Sequence, residues 1–357
     1  MNARIAAVLI VLLAVLGGGA LFIQRQSGTE KPADSTMLGQ PLLKGLQAAD
    51  VATIVIRQPK STLTIAKKDD RWTIAERGGF PADFDKLREF VLKAIAAKVG
   101  QTEPIGEKDR ARLNLDESGT LVEFLGADGK PLARLIAGQK YFKSAPDNPA
   151  KAVGDGRYVA LPGDEKRVYV ISDPFTQAST KSADWVSKAG IDAEKVVTLE
   201  VRDAAGAAWK IERSGDNADW KLIGLRSDEK LEITRANAAA YTFGRFEIAD
   251  VAAPDVKPEA VSLDKPVATI AATTQDGLTY TLTVGKPEGA NVYARLVISG
   301  EPKPEGKDAE ERAKKLAERV AREKALGGHI LLIPKQKLED VLKKRSDLLT
   351  IKDEKKK

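Results

Sequence analysis

The sequence predicts an α+β protein in which an N-terminal transmembrane helix is followed by two tandem copies of an antiparallel sheet-plus-helix unit. Three observations predict it. An uncharged stretch runs without interruption from Ile5 to Ile23. A set of strand and turn motifs recurs in the same order at an offset of roughly 145–148 positions, the mark of an internal repeat. Inside each copy, segments alternating with period 2 surround one segment with period 3.6. The 357 residues suit two domains rather than one.

The apolar stretch IAAVLIVLLAVLGGGALFI lies between Arg4 and Gln24-Arg25. A helix rising about 1.5 Å per residue needs about 20 apolar residues to cross the hydrocarbon, so this run suffices. Gly17, Gly18 and Gly19 are compatible with it, because glycine is common in membrane helices. A cleaved signal peptide would have a shorter apolar region and small residues before the cut, whereas Leu21, Phe22 and Ile23 are bulky. The expectation is an uncleaved signal anchor over 1–25, with the short N-terminal tail inside and the rest exported. Residues 26–45, rich in Gly, Ser, Pro and polar groups, read as a flexible stalk.

The first copy is expected over 46–188 and the second over 189–350. Val51-Ala-Thr-Ile-Val-Ile-Arg57 matches Val196-Val-Thr-Leu-Glu-Val-Arg202, and Trp72-Thr73-Ile74 matches Trp220-Lys221-Leu222. The Asp128-Gly129 and Asp276-Gly277 turns lead to strands ending Ala137-Gly138 and Val284-Gly285. Tyr158 and Tyr293 follow in a further pair of strands, and each copy closes on a short turn, Ser182 to Trp185 and Arg345 to Leu348. Asp-Gly between two alternating runs predicts a hairpin with a type I′ turn. Phe84, Leu87, Val91, Ala94 and Ile95 share one face of a predicted helix whose first turn suits Pro81 and Asp83. The corresponding helix begins near Thr234 and passes through Ala236, Ala240 and Phe243.

The second copy carries an insertion over 301–328 that is strongly helical and almost evenly charged. Leu316 and Val320 form its narrow apolar seam. Such a helix is expected to lie in solvent, laced by i,i+4 charge pairs, with a docking arm for a partner as the sharper alternative. The tail 351–357 is basic.

Composition excludes several chemistries. There is no Cys, hence no disulfide scaffold, thiolate metal site or cysteine nucleophile. The single His329 cannot make a multi-histidine metal centre. Net charge is +6, but basic and acidic residues are interspersed, without the one-signed stripe of a nucleic-acid binder. No G-x-x-x-x-G-K-[ST] loop and no G-x-S-x-G elbow occurs, and Gly154-Asp155-Gly156 reads as a turn before a strand. The pairs Asp69-Asp70, Asp164-Glu165 and Asp216 with Asp219 lie in solvated turns. Accordingly no catalytic residue, cofactor or metal site is expected. Trp72 and Trp220, and Leu316 and Val320 on the inserted helix, are the candidates for ligand or partner contact.

The anchor, the opening LKGLQAADVATIVIR, the RWTI that follows TLTIAKKDD, and the ADW that closes the first half together resemble the DUF4340 family of bacterial proteins. The resemblance implies a membrane-tethered extracytoplasmic protein, found beside ABC-type transport components of the gliding-motility kind, and carries no active-site residues with it. The expected function is therefore a non-enzymatic, single-pass inner-membrane module with its body in the periplasm, auxiliary to an ABC-type permease complex. The alternative is a periplasmic ligand-binding protein that holds a polysaccharide or peptide in a cleft between the two copies. Nucleic acid is not an expected partner.

Overall fold

The computed structural model describes residues 37–351 except 192, 245 and 302–308. It is a mixed α+β structure dominated by antiparallel sheets, with few helices. Among the described residues no helix is long and apolar enough to cross a membrane. The expected anchor over 5–23, and the last residues of the basic tail, lie outside the described residues.

The first half of the chain forms β1 (Thr53–Gln58), β2 (Ser61–Lys68), β3 (Arg71–Ile74), β4 (Phe80–Pro81), α1 (Phe84–Ala96), β5 (Val99–Pro104), α2 (Glu107–Arg112), β6 (Thr120–Leu125), β7 (Pro131–Tyr141), β8 (Gly156–Ala160) and β9 (Arg167–Ile171). Its nine strands make one sheet in the order β4-β3-β2-β1-β6-β7-β8-β9-β5. The second half forms β10 (Val196–Asp203), β11 (Ala208–Glu212), β12 (Lys221–Leu222), β13 (Glu229–Leu231), α3 (Ile233–Tyr241), β14 (Asp250–Val251), β15 (Ala268–Thr274), β16 (Thr279–Glu288), β17 (Asn291–Ser299), α4 (Ala309–Ala325), β18 (Leu331–Pro334), α5 (Lys335–Leu338) and β19 (Leu349–Ile351). Eight of these strands are ordered β12-β11-β10-β15-β16-β17-β18-β14, and β13 pairs with β19. With β10 in the place of β1 and β14 in that of β5, the two large sheets share one succession of neighbours.

By internal packing the chain divides into two compact units. Unit 1 comprises Ile56–Ser61, Phe90–Ala178 and the described residues of Met1–Val51; unit 2 comprises Ala52–Val55, Thr62–Glu89 and the described residues of Ser179–Lys357.

In unit 1, Phe90 stacks on Phe124 and packs tilted against Phe175, with centroid separations of 6.0 and 4.9 Å. The buried stripe of α1 is Leu87, Phe90, Val91 and Ala94, while Phe84 is 56% exposed. At 100° per residue, Phe84 and Ile95 fall on the margin of that stripe rather than within it, which corrects the expectation that both face the core. The described end of the segment expected as stalk packs on the body instead. Leu42, Leu43 and Leu46 are buried, and the backbone pairs through Gly39 N to Val99 O, Val99 N to Gln40 O, and Leu42 N to Ala97 O at 2.8–3.0 Å. Three leucines among otherwise polar residues are enough apolar area to hold this segment against the body.

The Asp-Gly turns are hairpin turns of another type than I′. Gly129 N donates to Gly126 O and Gly126 N to Lys130 O, with φ +75° at Gly129 but not at Asp128. Gly277 N and Thr274 N make the same bonds to Thr274 O and Leu278 O. Each is a type I turn closed by a left-handed glycine, the three-residue hairpin loop. The two-residue turn with both central residues at positive φ is Asp69-Asp70, at +48° and +61°.

Unit 2 is alternating throughout its central strands. Ala268, Ile270, Ala272 and Thr274 of β15 are buried, as are Tyr280, Leu282 and Val284 of β16 and Val292, Ala294, Leu296 and Ile298 of β17. One face of the sheet is therefore the core face. The inserted helix α4 is not merely solvated. Val320 and Glu323 are buried on it, Tyr280 Oη donates to Glu323 Oε2 at 2.9 Å, and Arg319 lies 3.8 Å from both Glu323 and Asp276. The opposite face keeps the expected i,i+4 pair, Lys315 with Glu311 at 2.8 Å. β16 and the turn before it thus meet α4 through Glu323 and Arg319.

Candidate functional site

A well-defined opening lies in unit 2. It is a cavity of about 540 Å³ between the start of β10, the turn linking β11 to β12, and the C-terminal half of α3. α3 forms because Ala236, Ala239 and Ala240 bury a small-residue face, leaving Asn237 and Tyr241, one turn apart, on the exposed side.

One wall is locked by Arg213. Its Nε donates to Val196 O at 2.8 Å, Nη1 to Asp216 O, and Nη2 to the Asp216 carboxylate at 2.7 Å. The guanidinium lies 4.6 Å from the centre of the Trp220 ring, a cation–π contact. Trp220 is only 4% exposed, and its indole Nε1 donates to Asn237 Oδ1 at 2.9 Å. An indole N–H can only donate, so the amide of Asn237 is oriented with its NH₂ turned elsewhere. Lys195 sits at the mouth in a left-handed conformation, φ +54°, its carbonyl accepting from Gln275 N at 2.9 Å.

Of the four residues singled out by sequence, Trp220 lines this cavity and Trp72, Leu316 and Val320 do not. Trp72 is half-buried in β3 opposite Lys67. Leu316 is half-buried and Val320 buried on α4. Arg213, Asn237 and Tyr241 were not among the sequence candidates. The available signal was Asn237 and Tyr241 at i,i+4 on an alanine-rich helix, a polar and aromatic stripe opposite the small-residue face.

Three of the carboxylates considered from sequence, Asp164, Asp216 and Asp70, have local partners. Asp164 accepts from Tyr169 Oη at 2.6 Å, and burial together with that bond pushes the Tyr169 phenol up to about 12. Asp216 is held by Arg213, and Asp70 pairs with Lys67 at 2.9 Å. His329 stands edge-on to Phe80 at 5.1 Å, and burial lowers its pKa. Within the same unit, Asp250 accepts from Ser182 Oγ at 2.7 Å and pairs with Arg77 at 3.4 Å.

A family model described as Domain of unknown function (DUF4340) matches residues 72–266, more than half of the chain. The chain belongs to the DUF4340 family. The match starts at Trp72 in β3 and stops just before β15, so the cavity lies wholly inside the matched span and α4 lies outside it. It is narrower than the sequence resemblance suggested, since the opening strand β1 precedes it. No curated protein and no solved structure matches the chain.

Proposed function

We propose that this DUF4340 member is a membrane-anchored interaction module, built on a duplicated α+β unit and auxiliary to an ABC-type transport or gliding-motility-like complex of the envelope. The observation that carries the reading is the uncharged stretch from Ile5 to Ile23, long enough to span a bilayer as a helix. In this reading it stays uncleaved in the inner membrane and the body works in the periplasm. The duplication is supported by the shared succession of strands in the two large sheets and by the matching loops at Gly129 and Gly277. Equivalent bulges support it too. β7 and β16 each break register just after Ala137 and Val284, at Gly138 and Gly285. A Cβ at these glycines would meet Leu113 O at 2.3 Å and Val261 O at 2.2 Å. The transporter context rests on the family resemblance.

The test uses the full chain expressed in its own envelope. Alkaline carbonate should leave it in the membrane pellet with an intact N-terminus, added protease should reach the body only after the outer membrane is opened, and crosslinked purification should recover a permease or ATPase subunit. Release by carbonate with a trimmed N-terminus would remove the anchor from the proposal, and recovery only as a free monomer would remove the complex.

A further inference from the structure

We propose that the cavity between β10, the β11–β12 turn and α3 binds a short neutral carbohydrate. This goes beyond the anchored-module reading and does not depend on it. The volume of about 540 Å³ falls within the range of small-ligand sites. Its charges are balanced: Lys195 and Arg213 face Glu194 and Asp216, and Arg213 is already committed to Asp216 and Val196. No cationic group is left in excess for a phosphate or carboxylate ligand, so a neutral ligand fits better than an anion.

The polar groups suit hydroxyls. A hydroxyl donates and accepts at once, and therefore favours a donor beside an acceptor. The Asn237 NH₂ supplies the donors, because its oxygen is engaged by Trp220. The Asp216 carboxylate supplies the acceptor, since it is 44% exposed although one oxygen holds Arg213. Tyr241 supplies the flat apolar face. It is 69% exposed on the rim, and a ring so placed covers the C–H face of a sugar while its hydroxyl stays wet. Trp220 is not that platform, because it is buried and Arg213 covers its ring; it positions Asn237. The wall is held in place before any ligand arrives, which limits the ordering cost of binding.

The experiment is calorimetric titration of the full chain, purified in a detergent without a sugar headgroup, with maltotriose, cellotriose, chitotriose and, as the zwitterionic counter-probe, tri-alanine. At least one trisaccharide should bind and tri-alanine should not. Tyr241→Ala should weaken binding about tenfold at unchanged melting temperature, and Tyr241→Phe should restore it. Asn237→Asp keeps an acceptor for the Trp220 indole but removes the NH₂ donors, and should also weaken binding. Silence of all three sugars up to about 10 mM, the millimolar limit of useful affinity, would overturn the proposal. So would binding of tri-alanine instead, or sugar binding indifferent to Tyr241→Ala.

Discussion

Replacing Glu323 tests whether α4 is held by its own sheet. The carboxylate is 1% exposed and accepts from Tyr280, itself fully buried. Its second oxygen faces Arg319 at 3.8 Å, too far for a hydrogen bond, and Arg319 Nε has no hydrogen-bond partner. The Tyr280 bond is therefore the stronger half of the contact. Glu323→Ala leaves a buried hydroxyl without its acceptor and Arg319 without one of its two carboxylates, which should cost about 2–3 kcal/mol. Glu323→Gln keeps an acceptor for Tyr280 but gives up the ion pair with Arg319, so a smaller loss of about 1 kcal/mol is expected. Because the contact joins α4 to β16, the loss should appear first as local opening. Amide exchange across Ala309–Ala325 should quicken about 30- to 150-fold in the alanine variant, taking tenfold as about 1.4 kcal/mol. Burial and the neighbouring carboxylate raise the Tyr280 pKa, so the phenol stays protonated and the effect should not vary between neutral and mildly alkaline pH. Exchange in α4 as slow in Glu323→Ala as in the parent protein would refute the docked-helix account.

Further outcomes follow from other contacts. Gly138→Ala and Gly285→Ala each drive a Cβ to within 2.3 Å of a backbone carbonyl and should each cost about 2–4 kcal/mol in urea unfolding. Gly215→Ala, with open space around it, should change stability by less than about 0.5 kcal/mol. Burial depresses His329 below its ordinary 6.5, so the unfolded chain binds the proton first; stability is complete above about 6.5 and should fall as pH drops below that value. His329→Phe should flatten this part of a melting-temperature profile, and an unaltered slope would show that another group is responsible. The hydrogen bonds from Arg345, then the backbone at Arg226, hold Glu229 at about 2. Its contribution is present above about 4.5 and lost as pH falls from there toward 2. Arg345→Gln should move the Glu229 titration seen by carboxyl NMR upward, and a carboxyl still titrating near 2 would count against the pairing.

Much of the architecture was legible because its signals are local. Alternation and apolar runs marked β1 to β3, β6 to β9 and their counterparts in the second half, but not β4, β5, β13 or β14; the helical period marked α1 and α3. Glycine after aspartate marked the hairpins, although turn type depended on the φ of Asp128 and Asp276, which composition does not dictate. The candidate cavity was legible only through Trp220. Its other determinants, Arg213 after β11 and Asn237 and Tyr241 on α3, come from two segments whose meeting with β10 depends on how α3 packs. The alanine face of α3 announced a buried side but not what the opposite side would adjoin.

By itself, the order of residues determined an apolar stretch suited to a bilayer, an α+β body, the order of its elements, and a chain without cysteine and with a single histidine. Those properties follow from period, length and composition, which neighbouring residues carry among themselves. Only the tertiary structure decided that Glu323 meets Tyr280, that Arg345 meets Glu229, that Leu42 and Leu43 are buried against the body, and that Tyr241 stands open beside Asn237. The first two join groups 43 and 116 positions apart, and whether a buried charge or ring is satisfied depends on partners that no local pattern names.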